Sequence, residues 1–443
     1  MSAVIPAAEW RHVFASRLAE ARDLTDSLFK KVCPGALYKR PIPERHRIIF
    51  YLGHLEAFDW NLIGKQGLDL PPIHEEFDQL FAFGIDPVDG GLPQDPPSAW
   101  PAESIIRKYV HEARRRIDDC LQTLSFDDVR HPLFCRGLLL NVAIEHRLMH
   151  AETFAYMLHQ LPLDQKVHES PEPQVKNSNP GYRQIEIPEG LATLGLVRSE
   201  RAPFGWDNEF ERQQVHVPRF AVDVYNVTNG DFLKFVESGG YADRSLWKDS
   251  DWEWITSKNI SHPGFWKKNG NGWLYRAMFA EIPLPLDWPV YVSHAEANAY
   301  ARWRGQSLPT EAQWHRAALG TPQGSEQAFP WGNEPPDRSR GNFDSARWDP
   351  VPVASFPEGR SAFGVEDLIG NGWEWTTTVF EPFPRFEAFS FYPGYSANFF
   401  DGRHFVMKGG SARTAACLLR PTFRNWFQAH YPYMYATFRC VEN

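Results

Sequence analysis

Up to about residue 165 the chain runs in long segments without internal proline. Apolar residues return every three or four positions, and each segment is closed by Pro or Gly. That period marks helices with one apolar face. It predicts four of them: between Pro6 and Pro34, between Pro43 and Gly64, from Pro101 to about Leu124, and between Gly137 and Pro162. A proline at a helix start is tolerated because the first amides lack intrahelical acceptors. Four such helices pack as a bundle. The pattern then breaks. From Pro162 to Gln184 the sequence PLDQKVHESPEPQVKNSNPGYRQ is polar and proline-rich, has no period, and reads as a linker. Beyond it, short strand-like runs and turns dominate, with tryptophan in WEW, WPVYV, PWGN and GWEWT and brief helical stretches such as SHAEANAYARWRG. The expected fold class is α+β in two domains: a four-helix bundle over 1–165, a linker over 166–185, and a mixed α/β, loop-rich domain over 186–443. A length of 443 residues agrees, because it exceeds what one core usually serves.

Composition narrows the function classes. At 43% hydrophobic and 23% charged the chain is ordinary globular protein, and 17 Trp, 32 Phe and 15 Tyr point to aromatic-rich cores or pockets. A net charge of −9 offers no basic face to neutralise phosphates, so nucleic acid is not an expected partner. No run of 18 or more apolar residues occurs, and MSAVIPAAEW lacks a basic stretch followed by an apolar one. Neither a membrane partner nor a targeting signal is therefore expected. Cys33, Cys120, Cys135, Cys417 and Cys440 are scattered without CxxC spacing, which fits a reducing compartment, the cytoplasm. A monomer or weak homo-oligomer is expected.

Among 16 histidines only His146 and His150, in IEHRLMHAE, stand four apart. That spacing puts both imidazoles on one helix face, within reach of one ion. The same spacing also suits two hydrogen-bonded core or surface histidines. A third ligand would come from another helix, and His54, deep in IIFYLGHLEAFDW, is the candidate. Bundle proteins build metal sites from inward residues on facing helices, although a core histidine bonded to a backbone carbonyl would look alike in sequence. Three neutral imidazoles without cysteine suit Fe(II), Zn(II) or Cu. Glu152, two residues after His150, is turned away from the His146 face and is expected beside the ligands or on the surface.

His54 with the HxxxHxE element His146, His150 and Glu152 resembles the DinB-like iron-binding domain of the ergothioneine and ovothiol sulfoxide synthases. The second half strengthens the resemblance. VTNGDFLKF, VSHAEANAYARWRGQSLPTEAQWHRAA, PWGN, LIGNGWEWTTTVF, KGGS, RPTFRNW and FRC follow the order of the formylglycine-generating-enzyme-like, C-type-lectin-related fold. The resemblance implies a non-haem Fe(2+) enzyme with His54, His146 and His150 as metal ligands. It would use O2 to join a selenol or thiol donor to C2 of the imidazole of hercynine, Nα-trimethylhistidine. A formylglycine-generating enzyme proper needs a cysteine pair near its C-terminal core, and the stretch KGGSARTAACLLRPTFRNW holds only Cys417, with no neighbouring partner. A lectin-like binding protein without catalysis is the alternative of a different class.

In this family the loop after the second helix helps recognise the donor. Here Gln66 to Ile106 contains no Lys or Arg, whereas Asp69, Glu75, Glu76, Asp78, Asp86, Asp89, Asp95 and Glu103 are acidic. γ-Glutamylcysteine, with two carboxylates, calls for guanidinium partners. The reading therefore leans to the selenoneine synthase branch and a neutral selenosugar, with Phe81, Phe83 and Asp86 as donor-side substrate residues. The alternative is an ergothioneine-pathway hercynine sulfoxide synthase using cysteine or γ-glutamylcysteine. The quaternary ammonium of hercynine favours aromatic faces. By resemblance these are Trp426 and Phe427, with Tyr431 and Tyr433 as neighbours. Where some relatives carry Gln and Asp, this chain has Met149 and Phe427. Tyr392 and Tyr395, in FYPGYSANFF, lie where the resemblance places a catalytic tyrosine acid.

Overall fold

The apolar segments of the first half form α1 (Ala7–Phe29), α2 (Ile48–Asp59), a short α3 (Glu75–Leu80), α4 (Glu103–Leu121) and α5 (Leu138–Gln160). The computed structural model describes residues 7–82, 95–126, 131–168, 181–199, 203–270 and 272–442. The chain divides into two compact units, Met1–Ser170 and Pro171–Asn443.

In the first unit the four long helices of the hydrophobic pattern are present. α4 is the most amphipathic in sequence, burying Ile106, Tyr109, Ala113, Ile117 and Leu121 on one face. α2 and α5 are buried nearly all round, as central helices must be. One boundary differs from the expectation. α2 does not stop near Gly64 but runs on as a wide turn over Trp60–Gly67. Leu62 and Ile63 remain buried there. A Cβ on Gly64 would lie 2.7 Å from the Trp60 ring, so this glycine makes room for packing rather than ending the helix. Among the described residues, no helix is long and apolar enough to cross a membrane.

The second unit is mixed α/β. Its strands are β1 (Gln184–Ile187), β2 (Gly190–Leu194), β3 (Gln213–Val217), β4 (Phe220–Asp223), β5 (Trp266–Asn269), β6 (Gly272–Arg276), β7 (Glu281–Pro283), β8 (Gly372–Val379), β9 (His404–Gly410), β10 (Asn425–Gln428), β11 (Ala436–Thr437) and β12 (Val441–Glu442). They form sheets in the orders β1-β4-β12, β10-β9-β8-β11, β2-β3 and β5-β6-β7. Between them lie α6 (Asn229–Glu237), α7 (Asp249–Ser257), α8 (His294–Trp303) and α9 (Glu311–Leu319). Thr228, Ser293 and Thr310 cap α6, α8 and α9 by accepting from a backbone N–H three residues on, the preferred chemistry at a helix start.

One core joins these layers: Ile187, Val217, Phe220 and Val222 from the strands meet Trp314, Ala318, Val365, Leu368 and Val441. Beside it, Glu374 is buried and gripped by Arg439 through two hydrogen bonds of 2.7 Å, and it also accepts from Trp314 and Asn226. In the KGGS stretch Gly409 takes φ +94°, and a Cβ there would come within 2.6 Å of the Leu368 carbonyl oxygen. None of the five cysteines is in a disulfide.

Candidate functional site

α2 reads IIFYLGHLEAFD, and apart from Phe58 every residue in it is buried. His54 therefore enters the core whatever its partners. The i, i+4 pair on α5 turns His146 and His150 toward it. All three are at most 5% exposed. The Nε2 atoms of His54 and His150 lie 3.3 Å apart, and those of His150 and His146 3.0 Å apart. Among the described residues, these are the three side chains whose ligand atoms all fall within 4.8 Å of one another.

The protonation pattern follows from the contacts. Nδ1 of His54 is 2.6 Å from the Phe81 carbonyl oxygen. A carbonyl only accepts, so the proton sits on Nδ1 and Nε2 keeps its lone pair for the centre. Burial lowers the pKa of His54 to about 4. It drives His146 and His150 well below the ordinary histidine range, helped by neighbouring imidazole charge. All three are thus neutral at physiological pH, the state in which imidazole ligates a metal. Two donors each about 2.1 Å from one ion and at right angles are about 3.0 Å apart. The observed separations meet that requirement, and the all-imidazole set suits Fe(II) as well as Zn(II) or Cu.

Aromatic rings wall the site. Phe58 stacks on His146 with centroids 3.4 Å apart, and Phe50 on His54 at 4.8 Å. Beneath lies a buried ion network that sequence reasoning missed. Arg147, fully buried, donates to Glu56 at 2.8 and 3.0 Å and to Asp59 at 2.6 Å. Arg114 adds a contact to Glu56 and two to Asp26. Burial opposes ionisation of Glu56, but Arg147 and Arg114 outweigh it and hold that carboxyl below its usual range, whereas burial prevails at Asp59 and raises it. Because Arg147 follows His146 and Glu56 follows His54 by two, the network fixes α2 against α5 at the histidines. The signal in the sequence is two acids inside an apolar run.

The sequence leads one to expect Phe81 as a donor-side substrate residue. Its ring is fully buried and packs on Phe50, Trp100 and Tyr109, so the part of Phe81 that reaches the centre is its carbonyl. A Cβ on Gly53 would lie 2.6 Å from that ring. Gly53→Ala is therefore expected to shift the Phe81 carbonyl off His54 and lower metal affinity about tenfold or more, the usual cost of losing an outer partner of a ligand. Metal titration of the two chains checks this, and equal affinity would remove Phe81 from the account. Phe83 and Asp86 lie outside the described residues. Of the neighbouring acids, Asp95 is paired with Arg40 and, at 3.0 Å, Arg47, and accepts from Trp100 at 2.6 Å. Asp78 accepts from Tyr109 at 2.8 Å. Glu152 is buried, not on the surface.

In the second unit the candidate aromatics fall into two groups. Trp426 and Phe427 are consecutive on β10, opposite Val406 and Phe405, so their side chains leave opposite faces. Trp426 stacks on Phe380 at 4.2 Å and meets the edge of Tyr395 at 5.4 Å. Tyr395 is itself stacked on Trp206 at 3.9 Å, with half-buried Tyr392 at 5.7 Å. Phe427 stacks on Tyr431 at 5.0 Å, and Tyr431 meets Tyr433 at 5.1 Å. Missed by sequence reasoning is Trp206–Glu209, buried throughout. Asp207 accepts from the Ser396 hydroxyl, which also accepts from Asn208 at 3.1 Å, and Glu209 binds Arg420 and Thr422. This segment ties Ser396, next to Tyr395, to the turn that precedes the strand carrying Trp426. A polar WDNE run beside a tryptophan was the available signal.

Residues 168–443 match the family described as the sulfatase-modifying factor enzyme 1-like domain, and residues 17–154 match the DinB superfamily. A hercynine oxygenase of Mycolicibacterium smegmatis is 31% identical over 433 residues, covering 94% of this chain and 95% of that protein. One of Mycobacterium tuberculosis is 38% identical over 236 residues, 53% of this chain and 54% of that protein. Ergothioneine biosynthesis protein 1 of Neurospora crassa is 26% identical over 497 residues, 92% of this chain and 55% of that protein. The last two alignments span about half the length of the relative.

Proposed function

The chain belongs to the family of the hercynine oxygenases, in which a DinB domain precedes a sulfatase-modifying-factor-like domain, and on that premise we propose that it joins a chalcogen to imidazole C2 of hercynine in an Fe(II)- and O2-dependent reaction. The observation that carries the reading is the meeting of three neutral Nε2 atoms within 4.8 Å, from two helices of a buried core. His54, His146 and His150 hold the iron. Bound there, Fe(II) would supply redox chemistry with O2. Joining a C–H to an Se–H or S–H removes two electrons and two protons, and O2 is the acceptor.

The chain's own groups do the rest. The Phe81 carbonyl keeps the His54 proton on Nδ1, Phe58 and Phe50 keep water from the imidazoles, and the Arg147 network holds the two ligand-bearing helices in register. The stacked pair Phe427 and Tyr431 is the proposed aromatic face for the trimethylammonium, which prefers a ring face to a hydrogen-bond donor, while Trp426, on the opposite face of β10, is proposed as a substrate residue beside Tyr395. Tyr392 and Tyr395 are the proposed proton donors.

The donor is a neutral selenosugar in this reading. Between Gln66 and Ile106 there is no Lys or Arg, and among the described residues the arginines that reach this segment are already paired, Arg40 and Arg47 with Asp95 and Arg107 with Glu103. The second reading is an ergothioneine-pathway hercynine sulfoxide synthase, which the names of the relatives favour, and its donor would be cysteine or γ-glutamylcysteine. The test is anaerobic Fe(II) loading followed by O2, hercynine and each donor, with products read by mass. A selenosugar adduct of hercynine is the expected product. Turnover with γ-glutamylcysteine alone would overturn the neutral donor, and no iron uptake or O2 consumption with any donor would leave a binding protein.

A further inference from the structure

Tyr392 and Tyr395 sit in a long connection that has little regular structure of its own. Between β8 and β9 it carries the helical turn Ala397–Phe399 and otherwise only turns and irregular chain. The backbone bonds at the tyrosines are local: the Tyr392 amide donates to the Phe389 carbonyl at 3.0 Å, and the Tyr395 amide to the Tyr392 carbonyl at 3.3 Å. Bonds of this kind shape a turn but do not fix it to the domain. Where the two phenols stand therefore depends on side-chain anchors.

Two adjacent residues anchor both ends of the stretch. The Trp206 ring stacks on Tyr395 at 3.9 Å and meets Phe389 at 6.4 Å. The carboxyl of Asp207 accepts from the Ser396 hydroxyl, which Asn208 also engages at 3.1 Å. Burial raises that carboxyl to about 6, while the Ser396 hydroxyl, the backbone amides of Phe389 and Asn208 and the Arg198 charge lower it, so the carboxylate prevails at neutral pH. One ring and one carboxylate thus face Phe389 and the Tyr395–Ser396 pair, with Tyr392 between them. Ser396 is fully buried, whereas Pro393, between the two tyrosines, is exposed. The ends are pinned and the middle is not.

We propose that Asp207 is a positioning residue for the tyrosine acid: through Ser396 and the stretch 389–396 it sets where the Tyr392 and Tyr395 hydroxyls stand. Ser396 follows Tyr395 directly, so a shift of its hydroxyl moves the Tyr395 ring. A displacement of about 1 Å at a reacting group can cost about a hundredfold in rate. The role rests on the hercynine reading, because that reaction is where the hydroxyls act.

Kinetics with hercynine in a double-mutant cycle test this. Asp207→Ala is expected to lower kcat about a hundredfold and to leave KM for hercynine unchanged, since the loss falls in the transition state alone. Asp207→Asn keeps an acceptor for the Ser396 hydroxyl and is expected to restore most of the rate. In a chain already carrying Tyr392→Phe and Tyr395→Phe, which keeps both rings and removes both hydroxyls, Asp207→Ala is expected to cost nothing more. An equal loss in both backgrounds overturns the proposal. Amide hydrogen exchange over residues 389–396 reads the anchoring without turnover. It should quicken about tenfold in Asp207→Ala and in Ser396→Ala, the milder deletion of the same bond, as the loss of one hydrogen bond implies. Exchange unchanged in both variants overturns the proposal. A parent chain that turns over no donor overturns the hercynine reading instead, and the exchange rates then decide the anchoring by themselves.

Discussion

His54→Ala abolishes stoichiometric iron binding and, with it, turnover. Removing one of three neutral imidazoles from a buried site costs about 4 kcal/mol of metal affinity, roughly a thousandfold, when the binding energy of a structural metal is divided among its ligands. The remaining pair, 3.0 Å apart on α5, could chelate weakly but lacks the facing helix. Iron content after desalting, measured for His54→Ala, His146→Ala and His150→Ala beside the parent chain, should fall from one per chain to near zero in each. The substitution removes bulk from a packed core, so a thermal unfolding curve is recorded for each variant. Loss of iron with a retained cooperative transition is the expected pair of results. Retention of one iron by the His54 variant would show that the ion is held elsewhere.

Arg147→Met should lower the stability of the first unit by about 3–5 kcal/mol, the usual cost of leaving buried charge without its partner. Here the partners are two carboxylates, Glu56 and Asp59, both at most 1% exposed. Asp59 already feels its burial, and Arg147 opposes that shift, so without the guanidinium Asp59 must fold protonated or not at all. Arg114 still reaches Glu56, so the deficit falls mainly on Asp59. Chemical denaturation followed by tryptophan fluorescence measures the loss. Adding Glu56→Gln and Asp59→Asn to Arg147→Met should recover much of it, because three neutral groups no longer include an unpaired charge. A single variant within about 1 kcal/mol of the parent would mean that the network does not hold α2 to α5.

Much of the architecture is written in periodicity. The four long helices, the change of style after Pro162 and the mixed α/β second half follow from where apolar residues repeat and where prolines fall. The place where this failed is instructive. Gly64 looks like a stop signal, but its missing side chain serves the Trp60 indole, and only packing distinguishes the two uses of a glycine. At the site, the pair on one helix was legible because i, i+4 geometry is local. That His54 reaches the pair depends on the register of two helices, and the residues that set that register, Glu56, Asp59 and Arg147, lie 88 to 91 positions apart in sequence. Phe81 shows a second limit. An aromatic residue draws attention for its ring, whereas the atom that meets His54 is a backbone oxygen that no sequence pattern displays. The division of Trp426 and Phe427 between opposite faces of β10 needed only the knowledge that this segment is a strand.

Hercynine deuterated at C2 gives the most direct test of the central claim, that iron held by His54, His146 and His150 carries out oxidative bond formation at that carbon. The Fe(II)-loaded chain is mixed with this substrate, O2 and a selenol or thiol donor, and product and substrate masses are followed beside a protein-free control. The account predicts a chalcogen adduct that has lost its deuterium, one per product formed, with the parent chain and not with His54→Ala. Product that keeps the deuterium, or equal product from the His54 variant, would contradict it.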